Sequence, residues 1–238
     1  MSLPDHLRAR LSAEGYFGLQ LLSGAAAIVG AALVFGYLAT NIGDGAPLTL
    51  FDARVALWFH AHALPPLTEA MLAVSLVNGY GGILVLSAMF AIVLARQRQW
   101  AWVAFTLVAV PGGMVLNVLV KLAFARQRPS FDDPLVVLST YSFPSGHTVS
   151  STLFYGTLAA FLMPRVRIWA RPWLFLAALA IVMLVAFSRV YLGAHYVTDV
   201  VAGFVEGVAW LACCMVAWST YRWRSLRHAA RAAAAAVQ

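Results

Sequence analysis

Residues 100–129 read WAWVAFTLVAVPGGMVLNVLVKLAFARQRP. From Trp100 to Val120 the stretch carries no charged side chain. That length matches the roughly 20 apolar residues with which an α-helix crosses a bilayer. Pro111-Gly112-Gly113 in its middle predicts a bend or a loosened turn. The run then stops at Lys121, and Arg126, Arg128 and Pro129 follow.

The rest of the chain has the same character. It has 238 residues, 62% of them hydrophobic and 11% charged, with a mean hydropathy of +0.82. A soluble domain has roughly 45–50% apolar and about 25% charged residues, so a water-soluble fold, a disordered chain and a disulfide scaffold are excluded. Cys213 and Cys214 are neighbours in an apolar run and read as packing residues. Six segments have the length and composition of membrane spans: Tyr16–Thr40, Thr68–Ala95, Trp100–Phe124, Gly146–Met163, Trp173–Tyr191 and Tyr196–Thr220. The first is too long for a signal-peptide core and is expected to be retained. Asp44–Pro66 is less apolar, holds Trp58, His60 and His62, and is expected to lie along one membrane surface. The expected architecture is all-α, an integral membrane six-transmembrane-helix bundle formed by residues 1–238 as one domain.

The basic residues orient this bundle. Arg8 and Arg10, Arg96 and Arg98, Arg165, Arg167 and Arg171, and Arg222, Arg224, Arg227 and Arg231 all fall on one side of a six-span layout. That side, with both termini, is expected to be cytoplasmic. Trp100, Trp102, Trp169, Trp173, Trp218 and Trp223 flank the same ends as an interfacial belt. The net charge of +7 is thereby explained without nucleic acid. Arg54, Lys121, Arg126, Arg128 and Arg189 lie on the opposite side, against the charge rule, and need another reason.

Three polar stretches meet on that opposite side. They are Lys121 to Pro129, Phe143-Pro144-Ser145-Gly146-His147-Thr148, and Ser188-Arg189 to His195 and Asp199. Lys121, Arg128 and Arg189 offer three cations suited to phosphate oxygens, and Lys121 is the only lysine in the chain. Ser145-Gly146-His147 opens a helix whose free N–H groups favour an anion. His195 and Asp199 are four apart and share a helix face, so the carboxylate can hold one imidazole nitrogen and leave the other free. With His147 as a second imidazole, the set suits phosphoryl transfer, one histidine attacking and the other acting as general acid. No cluster of Asp and Glu suggests Mg²⁺, so neither a metal nor a cofactor is expected.

K-x₆-R-P, P-S-G-H and S-R-x₅-H-x₃-D together resemble the signature of the type 2 phosphatidic acid phosphatase superfamily, matched at each fixed position between Lys121 and Asp199. The resemblance implies a lipid phosphatase of the bacterial cytoplasmic membrane, its site facing the periplasm. It implies His195 as the nucleophile that becomes a phosphohistidine, Asp199 as its orienting carboxylate and His147 as the acid on the leaving oxygen. It implies Lys121, Arg128, Ser145, Gly146 and Arg189 as the phosphate-binding set, with no divalent metal. Undecaprenyl pyrophosphate, phosphatidylglycerophosphate, phosphatidate and lipid A phosphate share the group that this signature reads. A lipid phosphotransferase using the same phosphohistidine, a non-catalytic lipid-phosphate binder and a vanadate haloperoxidase are the alternatives.

The remaining polar residues have weaker readings. Arg126 is expected to contact the surface or a headgroup, and Asp132 and Asp133 to be solvated. Asn117 lies one turn before Lys121, and Glu206 lies within the last span, seven residues after Asp199. Both are expected behind the site, with Glu206 hydrogen-bonded inside the bundle.

Overall fold

The computed structural model describes residues 13–43 and 45–235, and all regular structure in them is helical. The helices are α1 (Ala13–Thr40), α2 (Pro47–Ala61), α3 (Pro65–Val77), α4 (Tyr80–Arg96), α5 (Trp100–Phe124), α6 (Gly146–Leu162), α7 (Arg171–Tyr191) and α8 (Val197–Ala235). A 3₁₀ turn, Ile168–Ala170, precedes α7. Arg8, Arg10 and Asp44 lie outside the described residues. Proline opens α2 and α3, where its missing N–H costs nothing. α5 runs unbroken through Pro111 and ends at Ala125, whose left-handed φ of 45° turns the chain into the 125–145 loop.

Four helices are long and apolar enough to cross a membrane, and α3 with α4 counts as a fifth crossing if the bent pair is one span. The expected continuous span Thr68–Ala95 is instead broken at Asn78-Gly79, where α3 and α4 meet at 52°. Asn78 holds the break: its Nδ2 donates to Val74 O at 2.9 Å, and its Oδ1 accepts from Tyr155 Oη at 2.9 Å. Hydropathy averaged over a window does not see such a break.

α6, at 17 residues, is the innermost helix and packs against α4, α5, α7 and α8. Ile83, Val110, Met114, Val149, Leu153 and Phe154 form a dry cluster between α4, α5 and α6. Most of the buried hydroxyls of α6 bond within the helix, although Thr157 Oγ1 has no partner. Ser151 Oγ donates to His147 O and Thr152 Oγ1 to Thr148 O, each at 2.7 Å. The outer helices turn Leu33, Val85, Val115 and Leu122 outward, as lipid-facing spans do.

Within segment 45–66, α2 packs against α7 and α8. In α2 the outward residues are Phe51, Leu57 and Trp58, and the buried ones are Asp52 and Ala56. Its acidic residue points inward, while Arg54 is exposed.

Candidate active site

The site forms where one end of each of α5, α6, α7 and α8 meets the 125–145 loop. α6 starts there because Ser145 is extended and Gly146 begins the helical turn. A Cβ on Gly146 would collide with the Tyr80 ring and hydroxyl, and one on Gly203 would come within 2.6 Å of Ser145 O. These two glycines therefore let α4 and α8 close on the first turn of α6. Ser145 N donates to Asp199 O at 2.9 Å, tying the starts of α6 and α8 together.

His195 is 2% exposed and Asp199 fully buried. His195 Nδ1 lies 3.4 Å from Asp199 Oδ2. On the other side of the ring, Arg128 Nη1 lies 3.2 Å from Nε2. A guanidinium can only donate, so Nε2 must accept and the ring proton resides on Nδ1, facing the carboxylate. Burial first, and then the Arg128, Lys121 and Arg189 cations and the neighbouring His147, hold the His195 pKa well below its ordinary 6.5. The imidazole is neutral, and its Nε2 lone pair accepts from Arg128.

Lys121 Nζ donates to Tyr141 O at 2.8 Å and Ser142 O at 3.2 Å. Arg128 donates to Thr140 O at 2.6 Å and Ala194 O at 2.5 Å. Both cations thus hold the 125–145 loop over the site. Arg189 Nη1 donates to Ser75 Oγ, which lies 3.3 Å from His147 Nε2. Arg189 Nε is buried and has no partner in the protein. Among the described residues no carboxylate lies within ion-pair distance of Lys121, Arg128 or Arg189. Three buried or half-buried cations without a bound carboxylate, plus an orphaned guanidinium N–H, are an arrangement that an anion would satisfy.

Behind it, Tyr80 Oη donates to Asn117 Oδ1 at 2.5 Å, and Asn117 Nδ2 donates to Glu206 Oε2 at 2.8 Å. Glu206 is hydrogen-bonded inside the bundle, although its Oε1 has no partner.

Lys121, Arg128, Ser145, Gly146, His147, Arg189, His195 and Asp199 lie together here, with Asn117 and Glu206 behind them, and several partners were missed. Arg126 is not a headgroup contact. Its Nη2 donates to Asp52 Oδ2 at 2.9 Å and its Nη1 to Asp199 Oδ1 at 2.6 Å. Asp133 is solvent-exposed yet pairs with His60 at 2.9 Å, and Phe131 stacks on the His60 ring at 4.1 Å. Ser142 donates to Asp199 Oδ2. Asp52, Ser75, Tyr80 and Ser142 carry no local signal of their own. An intramembrane hydroxyl or an inward acid on α2 stands out only once its partner is known.

A sequence model of the PAP2 superfamily matches residues 99–224. The chain belongs to the PAP2 superfamily. Among PAP2 proteins, it is 41% identical over 96 residues to phosphatidylglycerophosphatase B of Bacillus subtilis (strain 168), covering 40% of this chain and 47% of that protein. It is 37% identical over 134 residues to decaprenylphosphoryl-5-phosphoribose phosphatase of Mycobacterium tuberculosis (strain CDC 1551 / Oshkosh), covering 53% and 66%. The chain thus spans about half to two thirds of the length of these relatives. Its fold is similar to the crystal structure of a transmembrane PAP2 type phosphatidylglycerolphosphate phosphatase from Bacillus subtilis. The TM-score is 0.72 at 29% identity, covering 79% of this chain and 93% of that one. Like that protein, this chain is a multi-pass membrane protein of the PAP2 superfamily.

Proposed function

We propose that this chain is an integral membrane lipid phosphatase that hydrolyses a phosphate monoester or pyrophosphate of a membrane lipid through a phosphohistidine. The observation that carries the reading is the neutral His195 Nε2 facing cations that no carboxylate neutralises. Lys121, Arg128, Arg189 and the N–H groups following Ser145 and Gly146 bind the phosphoryl oxygens. His195 Nε2 attacks phosphorus, and the bond to the lipid oxygen breaks as His147 gives that oxygen a proton. Asp199 holds the Nδ1 proton and so the attacking geometry. Water, deprotonated by His147, then attacks the phosphohistidine, releasing phosphate and restoring His195. The relatives' names point to lipid phosphates as substrates, among them phosphatidylglycerophosphate and polyprenyl-linked phosphates. The bundle crosses the membrane six times, α6 included, with both termini cytoplasmic and the site on the outer face.

The test is phosphate release from a panel of lipid phosphates in detergent, with excess EDTA, by wild type and His195→Ala. The wild type releases phosphate and the variant loses at least about 10³-fold in rate while melting at the same temperature. Equal rates in the two proteins would remove His195 as the nucleophile. Release by the wild type only when a lipid acceptor is supplied would instead identify a phosphotransferase.

A further inference from the structure

Asp52 is fully buried on α2 beside Ala56, while Phe51, Leu57 and Trp58 of the same helix face outward, and it takes no part in the reaction proposed above. It accepts from Arg126 Nη2, from Thr198 N at 3.1 Å and from Thr198 Oγ1. Arg126 in turn bonds Thr198 Oγ1 at 2.8 Å and lies over the Tyr196 ring at 4.4 Å. Its remaining contact is Asp199 Oδ1. The two oxygens of Asp199 are therefore divided: Oδ1 is committed to Arg126, while Oδ2 receives Ser142 Oγ and Tyr196 N and faces His195 Nδ1. Charges alternate along the line Asp52, Arg126, Asp199.

We infer that Asp52 and Arg126 are positioning residues for the nucleophile: Asp52 fixes Arg126, and Arg126 sets both the orientation of Asp199 and how strongly it holds the His195 proton. Neither residue occupies a fixed position of the phosphate-binding signature, and neither contacts His195. The inference rests on His195 being the nucleophile.

The sign of each effect follows from the charges. Arg128, Lys121, Arg189 and His147 face His195 as well and disfavour its protonation, with Glu206 and Tyr80 beyond them. These groups are the same in every variant. Asp52→Asn removes a negative charge behind Arg126, so Arg126 draws more strongly on Asp199 and His195 becomes less basic. Arg126→Gln leaves two carboxylates uncompensated, so His195 becomes more basic and protonates at higher pH. Arg126→Lys keeps the charge but loses the planar fork that reaches both carboxylates.

The test has two readouts on full-length protein in detergent. The first is the NMR titration of histidine-labelled protein, with His195 assigned from His195→Ala. Relative to wild type, the His195 titration moves to higher pH in Arg126→Gln, does not rise in Asp52→Asn, and stays close to wild type in Arg126→Lys. The second is kinetic. Each variant loses about 10-fold or more in kcat, the scale of one buried charge-assisted hydrogen bond. KM changes little, because neither residue touches the phosphate. Titrations unchanged in Arg126→Gln, or displaced the same way in Arg126→Gln and Asp52→Asn, overturn the inference, as does a loss confined to KM. Full activity in His195→Ala instead overturns the phosphohistidine reading on which it rests.

Discussion

The two ends of the helix bundle use arginine in opposite ways. At the site end, Arg126, Arg128 and Arg189 each have named acceptors or a buried orphan donor, and Arg189 is 2% exposed. At the other end, Arg96 and Arg98 are exposed, of the described arginines there Arg171 alone keeps a buried, unpaired Nε, and the space between helices is lined by aromatic rings. A cavity of about 490 Å³ lies against Phe105, Trp210 and Trp218, and one of about 700 Å³ against Trp102, Trp218 and Trp223. One residue type thus has two physical roles. Where water and headgroups solvate it, arginine sets topology and little else. Where it is enclosed, its charge must be answered by a ligand or a carboxylate.

Arg189→Gln breaks the comparison at its strongest point. Glutamine cannot supply the charge, and the buried Nε–H that the protein leaves unpaired is lost with it. The expected fall in kcat/KM on a lipid phosphate is about 10²–10³-fold, the scale of removing one donor from a developing oxyanion. Arg96→Gln, measured beside it, leaves kcat/KM unchanged. A fall of less than fivefold for Arg189→Gln would mean that Arg189 is structural and that the phosphate lies elsewhere.

How much of this was legible depends on whether a residue's chemistry conflicts with its surroundings. Lys121, Arg128, His147, Arg189, His195 and Asp199 are ionisable groups at the ends of apolar runs, and hydrocarbon tolerates them only with a purpose. They stand out one by one and their spacing groups them. Asp52 does not stand out, because it lies in a segment of mixed composition that reads as interfacial. Its meaning comes from Arg126, 74 positions away, and no local period encodes such a pair. Arg126 was misread for a related reason. Its two carboxylate partners, Asp52 and Asp199, lie 74 and 73 positions away, while Arg128, two residues on, reaches His195 Nε2. The broken span at Asn78-Gly79 was hidden because both halves are apolar. The enclosure of α6 is tertiary: it comes from α4, α5, α7 and α8 packing around it.

The second prediction uses pH to weigh the enclosed end. The neutral His195 has a folded-state pKa well below the ordinary 6.5 of an imidazole. Below about pH 6.5 the unfolded chain takes up a proton at this position that the folded protein refuses, so the folded state loses stability as pH falls. The slope contributed by this one group is at most about 1.4 kcal/mol per pH unit. Melting temperatures of wild type and His195→Gln in the same detergent, followed from pH 7.5 to 5.5, isolate it, since every other titrating group is common to both. The wild type loses more than the variant on the acid side. Parallel curves would show that the folded protein accepts the proton at His195, and the enclosed end would then resemble the solvated one.

The smallest effect belongs to Arg98. It is exposed, and its φ of 56° places it in the left-handed region at the turn between α4 and α5. A non-glycine residue there carries a cost of about 1–2 kcal/mol. Glycine removes that cost but adds about 0.5–1 kcal/mol of backbone entropy to be lost on folding. The two nearly cancel, so Arg98→Gly shifts stability by no more than about 1 kcal/mol, toward stabilisation, and leaves kcat/KM on a lipid phosphate at the wild-type value. Thermal melting and phosphate release measure both. A loss of activity here, with the fold intact, would mean that the arginine-rich end communicates with the site some 25 residues of α5 away. The division between a solvated end that orients the bundle and an enclosed end that performs chemistry would then have to be redrawn along α5.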